Sequence, residues 1–223
     1  MVDTENRSGF LVIFDCDGVL VESEPAESLA ILDVARHFGY RATEEEALAA
    51  FRGRKLAEVA DLVGQALGSG PPAGFETEVR RRCAETVDHQ VKAPPGMAAA
   101  LDRLGHPYCV ASSSPPEVIR ARLRSAGLLD RFEGRIYSAY TVGSWKPDPG
   151  LFLHAAEAEG FGPEMCAVVE DSLVGVEAAR RAAMRVVLFG AERARLAPAD
   201  DLRGLSKMSD LRAALENLMA THA

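Results

Sequence analysis

The stretch Phe10-Leu11-Val12-Ile13-Phe14-Asp15-Cys16-Asp17-Gly18 decides the fold. Five consecutive apolar residues, with β-branched Val12 and Ile13 at their centre, run straight into acid and glycine. That pattern predicts a strand buried on both faces, since a half-solvated strand would alternate apolar with polar residues. Strands of this kind occur in parallel sheets, whose connections are helices. Short apolar runs of the same type recur at residues 108–111, 165–169 and 186–189, with a weaker one at Ile136-Tyr137. Helical patterns lie between them. Met97, Ala100, Leu101 and Leu104 end at Gly105; Val118, Ile119 and Leu123 end at Gly127; Phe152, Leu153 and Ala156 end at Gly160. Alternating strand and helix predicts an α/β fold with a parallel sheet.

Residues 24–92 break the alternation and read as a helical insertion, so the expected division is a core of residues 1–23 and 93–223 with an inserted helical domain between. Thr43 and Glu46 form a capping box ahead of Ala47 and Leu48. Val79, Cys83, Val87 and Val91 recur every fourth residue and predict one helix through all four. The run Gly68-Ser69-Gly70-Pro71-Pro72-Ala73-Gly74 reads as a loop between helices of the insertion.

Composition narrows the function. Across 223 residues, 48% are hydrophobic and 26% charged, as in an ordinary packed protein. A formal net charge of −8 argues against a nucleic-acid or membrane-surface binder, because both need positive fields. An anionic substrate would need a local basic pocket. The polar residues 1–9 lead into an apolar run far too short for a signal peptide or membrane span, so a cytoplasmic location is expected. Cys16, Cys83, Cys109 and Cys166 show no Cys-x-x-Cys spacing and are expected to be buried thiols, without disulfides or structural zinc.

In an open parallel sheet, ligands collect beyond the carboxyl ends of the strands. Polar residues follow the apolar runs at those ends: Asp15 and Asp17 after the first, Ser112 after the second, and Glu170 with Asp171 after that at 165–169. Lys146 lies in the loop after Ile136. Taken singly, each is ambiguous. Asp-x-Asp is common in loops, Ser172 could be no more than a helix N-cap, and a lone lysine is usually on the surface.

Taken together, and in order along almost the whole chain, four segments resemble the motifs of the haloacid dehalogenase superfamily. They are Phe14-Asp15-Cys16-Asp17-Gly18-Val19-Leu20-Val21-Glu22-Ser23-Glu24, Val110-Ala111-Ser112-Ser113-Ser114, Trp145-Lys146-Pro147-Asp148-Pro149 and Val169-Glu170-Asp171-Ser172. The pattern is similar to the subgroup of small sugar-phosphate phosphatases and β-phosphoglucomutases, which insert a helical cap just after the first motif. The resemblance implies a Rossmann-like doubly wound parallel sheet with a small α-helical cap, and a Mg²⁺-dependent phosphatase acting on a sugar or sugar-acid phosphate. Glu22, where the family more often has aspartate, departs from the motif but leaves the chemistry intact.

Each role the resemblance implies has a physical reason. Asp15 attacks phosphorus and forms an aspartyl phosphate, dividing one hard hydrolysis into two easier displacements. Asp17 protonates the leaving oxygen and then takes a proton from water. Nucleophile and phosphoryl group are both anionic, so a metal and a fixed ammonium are needed. Asp15, the Asp17 carbonyl and Asp171 would hold Mg²⁺, with Glu170 joining directly or through water. Lys146 offsets the phosphoryl charge, and Ser112 with the Ser113 amide cradles it. Ser114-Pro115-Pro116-Glu117 is expected to open a capped helix nearby.

Three cations, Arg52, Arg54 and Lys55, precede a helix expected to begin near Leu56, where they oppose its dipole. The corresponding cap loop in this subgroup contacts the non-reacting part of the substrate, which implies Arg54 and Lys55 as substrate-binding residues. Phe51-Arg52-Gly53-Arg54-Lys55-Leu56 together with Trp145-Lys146-Pro147-Asp148-Pro149 is also similar to bacterial phosphatases of sugar-acid phosphates such as 6-phosphogluconate. Trp145 reads as a packing residue, and His37, His89 and His154 as surface or core residues. The partner is expected to be a small phosphorylated metabolite, with no nucleic acid or membrane, and a monomer is favoured. A phosphohexomutase is the alternative. A dehalogenase would need neither Asp17 nor Asp171, and a silent binding protein would tolerate losses among these acids, none of which is lost.

Overall fold

The computed structural model describes residues 9–51, 54, 56–190 and 201–220. By internal contacts the chain divides into two compact units, Met1–Glu22 with Lys92–Ala223, and Ser23–Val91.

The first unit is built on a six-stranded parallel sheet in the order β3-β2-β1-β4-β5-β6. The strands are β1 (Leu11–Phe14), β2 (Tyr108–Ser112), β3 (Ile136–Ser138), β4 (Cys166–Glu170), β5 (Arg185–Phe189) and β6 (Leu202–Leu205). The doubly wound α/β architecture expected from the sequence is therefore present. The chain runs outward from β1 through β2 to β3, then returns to the other side of β1 for β4, β5 and β6. This reversal makes the carboxyl end of β1 the switch point, where loops from both directions meet.

All four residues of β1 are fully buried. Leu11 and Ile13 share one face with Cys109, Ala111, Val168, Val186 and Leu188, packed against Leu151, Phe152, Ala155 and Ala156 of a covering helix and Val176, Ala178 and Ala179 of another. Phe14 belongs to the opposite face, where it meets Tyr108 and Phe132 edge-on at centroid distances of 6.2 and 6.3 Å. Burying each large side chain stabilises the fold by roughly 1.5–3 kcal/mol, which explains why both faces of a central strand are apolar.

The second unit holds helices α1 (Ala26–His37), α2 (Glu44–Phe51), α3 (Leu56–Ala66) and α4 (Phe75–Thr86). The Thr43 capping box forms: the Thr43 amide donates to Glu46 Oε2 at 2.8 Å and the Glu46 amide to Thr43 Oγ1 at 3.2 Å. Val79, Cys83, Val87 and Val91 are all buried, but α4 stops at Thr86, so the fourfold spacing outruns the helix and Val91 is buried from the segment beyond it.

The first unit continues with α5 (Met97–Asp102), α6 (Pro116–Ser125), α7 (Leu129–Phe132), α8 (Ala139–Val142), α9 (Gly150–Glu159), α10 (Leu173–Arg181) and α11 (Leu211–Ala220). Where the helical segment departs and returns, the Glu22 amide donates to the Lys92 carbonyl at 2.8 Å. β6 and α11 lie beyond the elements expected from the sequence. The four cysteines are free and buried. Among the described residues, no helix is long and apolar enough to cross a membrane.

Candidate active site

The ladder between β1 and β4 pairs Phe14 with Val169, and the Asp15 amide extends it by donating to the Val169 carbonyl at 2.9 Å. That register sets Asp15 beside Glu170 at the ends of neighbouring strands, with Asp171 one residue on. Asp15, Glu170 and Asp171 each present a carboxylate oxygen within 4.8 Å of the others. Lys146, in the loop after α8 and only 5% exposed, projects its ammonium between two of these acids. Its Nζ donates to Asp15 Oδ1 at 2.6 Å and to Glu170 Oε1 at 2.5 Å, and lies 4.9 Å from the centre of the Phe152 ring.

Glu170 is held on its other oxygen as well. Oε2 accepts from the amides of Asp171 and Ser172, each at 3.0 Å, and from the Ser172 hydroxyl at 2.9 Å. Ser172 is the N-cap of α10, its Oγ accepting the Gly175 amide at 3.0 Å, so the Glu170 carboxylate rests at the positive end of that helix. Glu170 is thus a fixed anchor for Lys146 as well as a member of the acidic cluster.

Two glycines make the close approach possible. Gly18 has φ +79°, and a Cβ there would collide with the Asp171 carboxylate. A Cβ at Gly175 would overlap the Glu170 carboxylate. Gly175→Ala is therefore expected to lower stability by about 1–3 kcal/mol in chemical denaturation, through forced movement of Glu170. An unchanged midpoint would show that the cluster yields freely.

Asp17 has partners of its own. Its Oδ1 is paired with the Arg122 guanidinium and its Oδ2 accepts the Ser114 hydroxyl at 3.1 Å. Ser112 is buried at the end of β2, its Oγ accepting the Ser114 amide at 3.1 Å, while Ser113 is exposed. The expected capping of α6 by Ser114 does not occur: Pro115 is the N-cap and no side chain caps the helix, because the Ser114 hydroxyl is committed to Asp17. Arg122 is not among the residues expected from the sequence, although its place three residues after Ile119 and beside Leu123 puts it on the buried face of α6.

Arg54 belongs to the helical unit; it is exposed, and its Nε donates to the Ala50 carbonyl at 2.8 Å. Lys55 lies outside the described residues. Trp145 is partly exposed and packs edge-on against Tyr140 at 5.4 Å, while His37, His89 and His154 are exposed.

The electrostatics follow from burial. Burial pushes the Asp15 carboxyl well above its ordinary range; Lys146 pulls it back, and Glu170, Asp171 and Asp17 push it up again. Asp171 is pushed up to about 7, first by burial and then by Glu170. For Lys146, burial works against the charge, but the attraction of Asp15 and Glu170 outweighs it and the ammonium is held above its ordinary value. Three carboxylates thus share one buried ammonium. That surplus of negative charge, presented entirely by hard oxygen donors, fits a metal cation.

A doubly wound sheet carrying a buried lysine among three acids at its switch point defines an α/β enzyme built for charged substrates. The model of the haloacid dehalogenase-like hydrolases matches residues 11–183, and the chain belongs to that family. It is 34% identical over 182 residues to 6-phosphogluconate phosphatase of Escherichia coli (strain K12), covering 81% of this chain and 82% of that one. It is 31% identical over 218 residues to hexitol phosphatase A of the same organism, covering 96% and 94%. Among solved structures, a HAD family hydrolase from Deinococcus radiodurans R1, with bound phosphate and sodium, is 31% identical and superposes with a TM-score of 0.75, covering 98% of this chain and 100% of that one.

Proposed function

We propose that the protein is a Mg²⁺-dependent phosphatase that hydrolyses a sugar or sugar-acid phosphate through an aspartyl phosphate on Asp15. The observation that carries this reading is the Lys146 ammonium bridging Asp15 and Glu170 beside Asp171. An ammonium so placed draws the Asp15 carboxyl back toward its ionised form against the burial that opposes it, and faces the phosphoryl oxygens as they approach.

In the first step Asp15 attacks phosphorus, the bond from phosphorus to the ester oxygen breaks, and Asp17 delivers a proton to that oxygen. In the second, Asp17 takes a proton from the water that attacks phosphorus, releasing inorganic phosphate and freeing Asp15. The Ser112 hydroxyl and the Ser113 amide hold the phosphoryl oxygens, with Lys146 offsetting their charge. Asp15, the Asp17 carbonyl, Asp171 and Glu170 would hold Mg²⁺, which supplies charge neutralisation between nucleophile and phosphoryl group.

The substrate class follows the names of the relatives, one a phosphatase of 6-phosphogluconate and another of hexitol phosphates. Arg54 and Lys55, in the inserted helical segment, are proposed to bind the polyhydroxy or anionic end of the substrate. The exposed position of Arg54 supports that role. A monomer working in the cytoplasm is part of the same reading, and the free, buried cysteines suit a reducing compartment.

The direct test is phosphate release from a panel of sugar, sugar-acid and hexitol phosphates with and without Mg²⁺. Release that depends on Mg²⁺ and favours these esters is expected. Isomerisation of glucose 1-phosphate, primed with β-glucose 1,6-bisphosphate and outpacing phosphate release, would sink the hydrolase reading in favour of a mutase.

The raised pKa of Asp171 adds a pH signature. With a folded value of about 7, well above its unfolded one, Asp171 contributes stability in its protonated form below the ordinary carboxylate range and loses it as pH rises through 7. Mg²⁺ must displace that proton below about pH 7 and meets a free carboxylate above it. The thermal shift on adding Mg²⁺ is therefore expected to be larger at about pH 8 than at about pH 5.5. Equal shifts would remove Asp171 from the ligand set.

A further inference from the structure

Arg122 is a buried charge that the chemistry above leaves unused. It lies within α6, whose neighbouring arginines point elsewhere: Arg120 donates to Glu133 at 2.6 Å and Arg124 is exposed. Arg122 instead turns inward, 3% exposed, and pairs with Asp17 Oδ1 across a sequence distance of 105 residues. Burying a guanidinium is costly unless it is well paired, so its position beside this carboxylate is informative.

The other Asp17 oxygen is also engaged, accepting the Ser114 hydroxyl. Ser114 is fixed in turn, its amide donating to Ser112 Oγ and its carbonyl accepting the Ser138 hydroxyl at 2.7 Å. The two contacts together define the plane of the Asp17 carboxyl. Oδ1 faces the interior of the unit and Oδ2 faces a hydroxyl on the loop after β2. The Asp17 side chain keeps 26% of its surface exposed, so it is reachable from solvent while Arg122 is not.

We propose that Arg122 is a positioning residue for Asp17. Its guanidinium occupies Oδ1 and so makes Oδ2 the oxygen that moves the proton. This rests on the phosphatase reading. In the first step the proton leaves Oδ2 for the leaving oxygen as that oxygen separates from phosphorus, and the electron pair stays on the carboxylate. In the second, Oδ2 recovers a proton from the attacking water. Arg122 acts on the reaction through Asp17, and Ser114 holds Oδ2 until the leaving group replaces it.

The test uses leaving groups, because a badly aimed acid matters only where the departing oxygen needs a proton. The full-length enzyme with Mg²⁺ is assayed on its best alkyl phosphate, a sugar-acid or hexitol ester, and on p-nitrophenyl phosphate, whose leaving group departs unprotonated. For Arg122→Met, kcat on the alkyl ester is expected to fall about 10- to 100-fold, against less than about 3-fold on the aryl ester. KM should stay within about 2-fold on both. Arg122→Lys restores the charge without the planar fork, and is expected to recover part of the alkyl activity.

Equal losses on the two esters, or no loss on either, would overturn the proposal. Should Arg122→Met fail to fold, Arg122→Lys carries the same test: a loss selective for the alkyl ester supports positioning, and an equal loss refutes it. A wild-type enzyme inactive on both esters would sink the phosphatase reading and this proposal with it. An active wild type with an unselective variant sinks the proposal alone.

Discussion

Asp15→Asn is expected to reduce phosphate release by about four orders of magnitude or more while leaving the fold in place. The amide oxygen can still accept a hydrogen bond from Lys146, and Glu170 remains as counter-ion to the ammonium. The substitution also removes one of three crowded carboxylates from a site where burial already opposes ionisation. Thermal unfolding should therefore show a midpoint close to that of the wild type. An inactive but well-folded variant separates loss of the nucleophile from loss of structure. Wild-type turnover in this variant would show that Asp15 does not attack phosphorus.

Lys146→Met tests the other half of the pair and is expected to damage both stability and activity. Methionine fills similar volume without the charge, leaving Asp15 and Glu170 buried without the ammonium they share. Removing one partner of a buried ion pair typically costs about 3–5 kcal/mol, because the remaining charge has lost its compensation. The loss of electrostatic stabilisation at the phosphoryl group should add a fall in kcat of about 10²–10³.

The pH dependence has a definite sign. Lys146 is held charged above its ordinary value, so its own contribution is fully present at neutral and acidic pH and is lost only in strong alkali. The variant's deficit should instead shrink as pH falls, because the abandoned Asp15 carboxyl, already raised by burial, takes up a proton and ceases to repel its neighbours. Urea denaturation of both proteins at about pH 5 and about pH 8 measures this. A deficit independent of pH would mean that packing, and not charge, is what Lys146 contributes.

Much of this site is readable along the chain because its acids sit where a local rule places them. Asp15, Glu170 and Asp171 directly follow buried β-rich runs, and a parallel sheet brings the ends of such runs together. The strands themselves are legible for the same reason. β6 is not, because Arg203 and Gly204 occupy its centre and only Leu202 and Leu205 are buried, so an edge strand leaves almost no apolar signal. In α11, by contrast, Leu211, Leu215 and Leu218 are buried at helical spacing, so a signal was there to be read.

Arg122 shows where local reading stops. Arg122 differs from Arg120 and Arg124 in lying three residues after Ile119 and beside Leu123, on the buried face of the helix, but nothing local names its partner. Only the folded chain brings Arg122 to Asp17, a partner 105 residues away along the sequence. Val91 fails in the opposite direction. Its spacing continues the pattern of α4, yet the helix ends at Thr86 and the residue is buried from non-helical chain. Periodicity records which residues are buried; backbone conformation is decided by what they are buried against.

The measurement that bears most directly on the central claim is a search for the phosphoenzyme. Enzyme mixed with Mg²⁺ and its best phosphate ester is quenched in acid within one turnover, digested, and mapped by mass spectrometry. A phosphoryl group on the peptide carrying Asp15, absent from Asp15→Asn treated in the same way, is the predicted result. Rapid turnover with a phosphoryl group on another residue, or equal labelling of the Asp15→Asn protein, would contradict it.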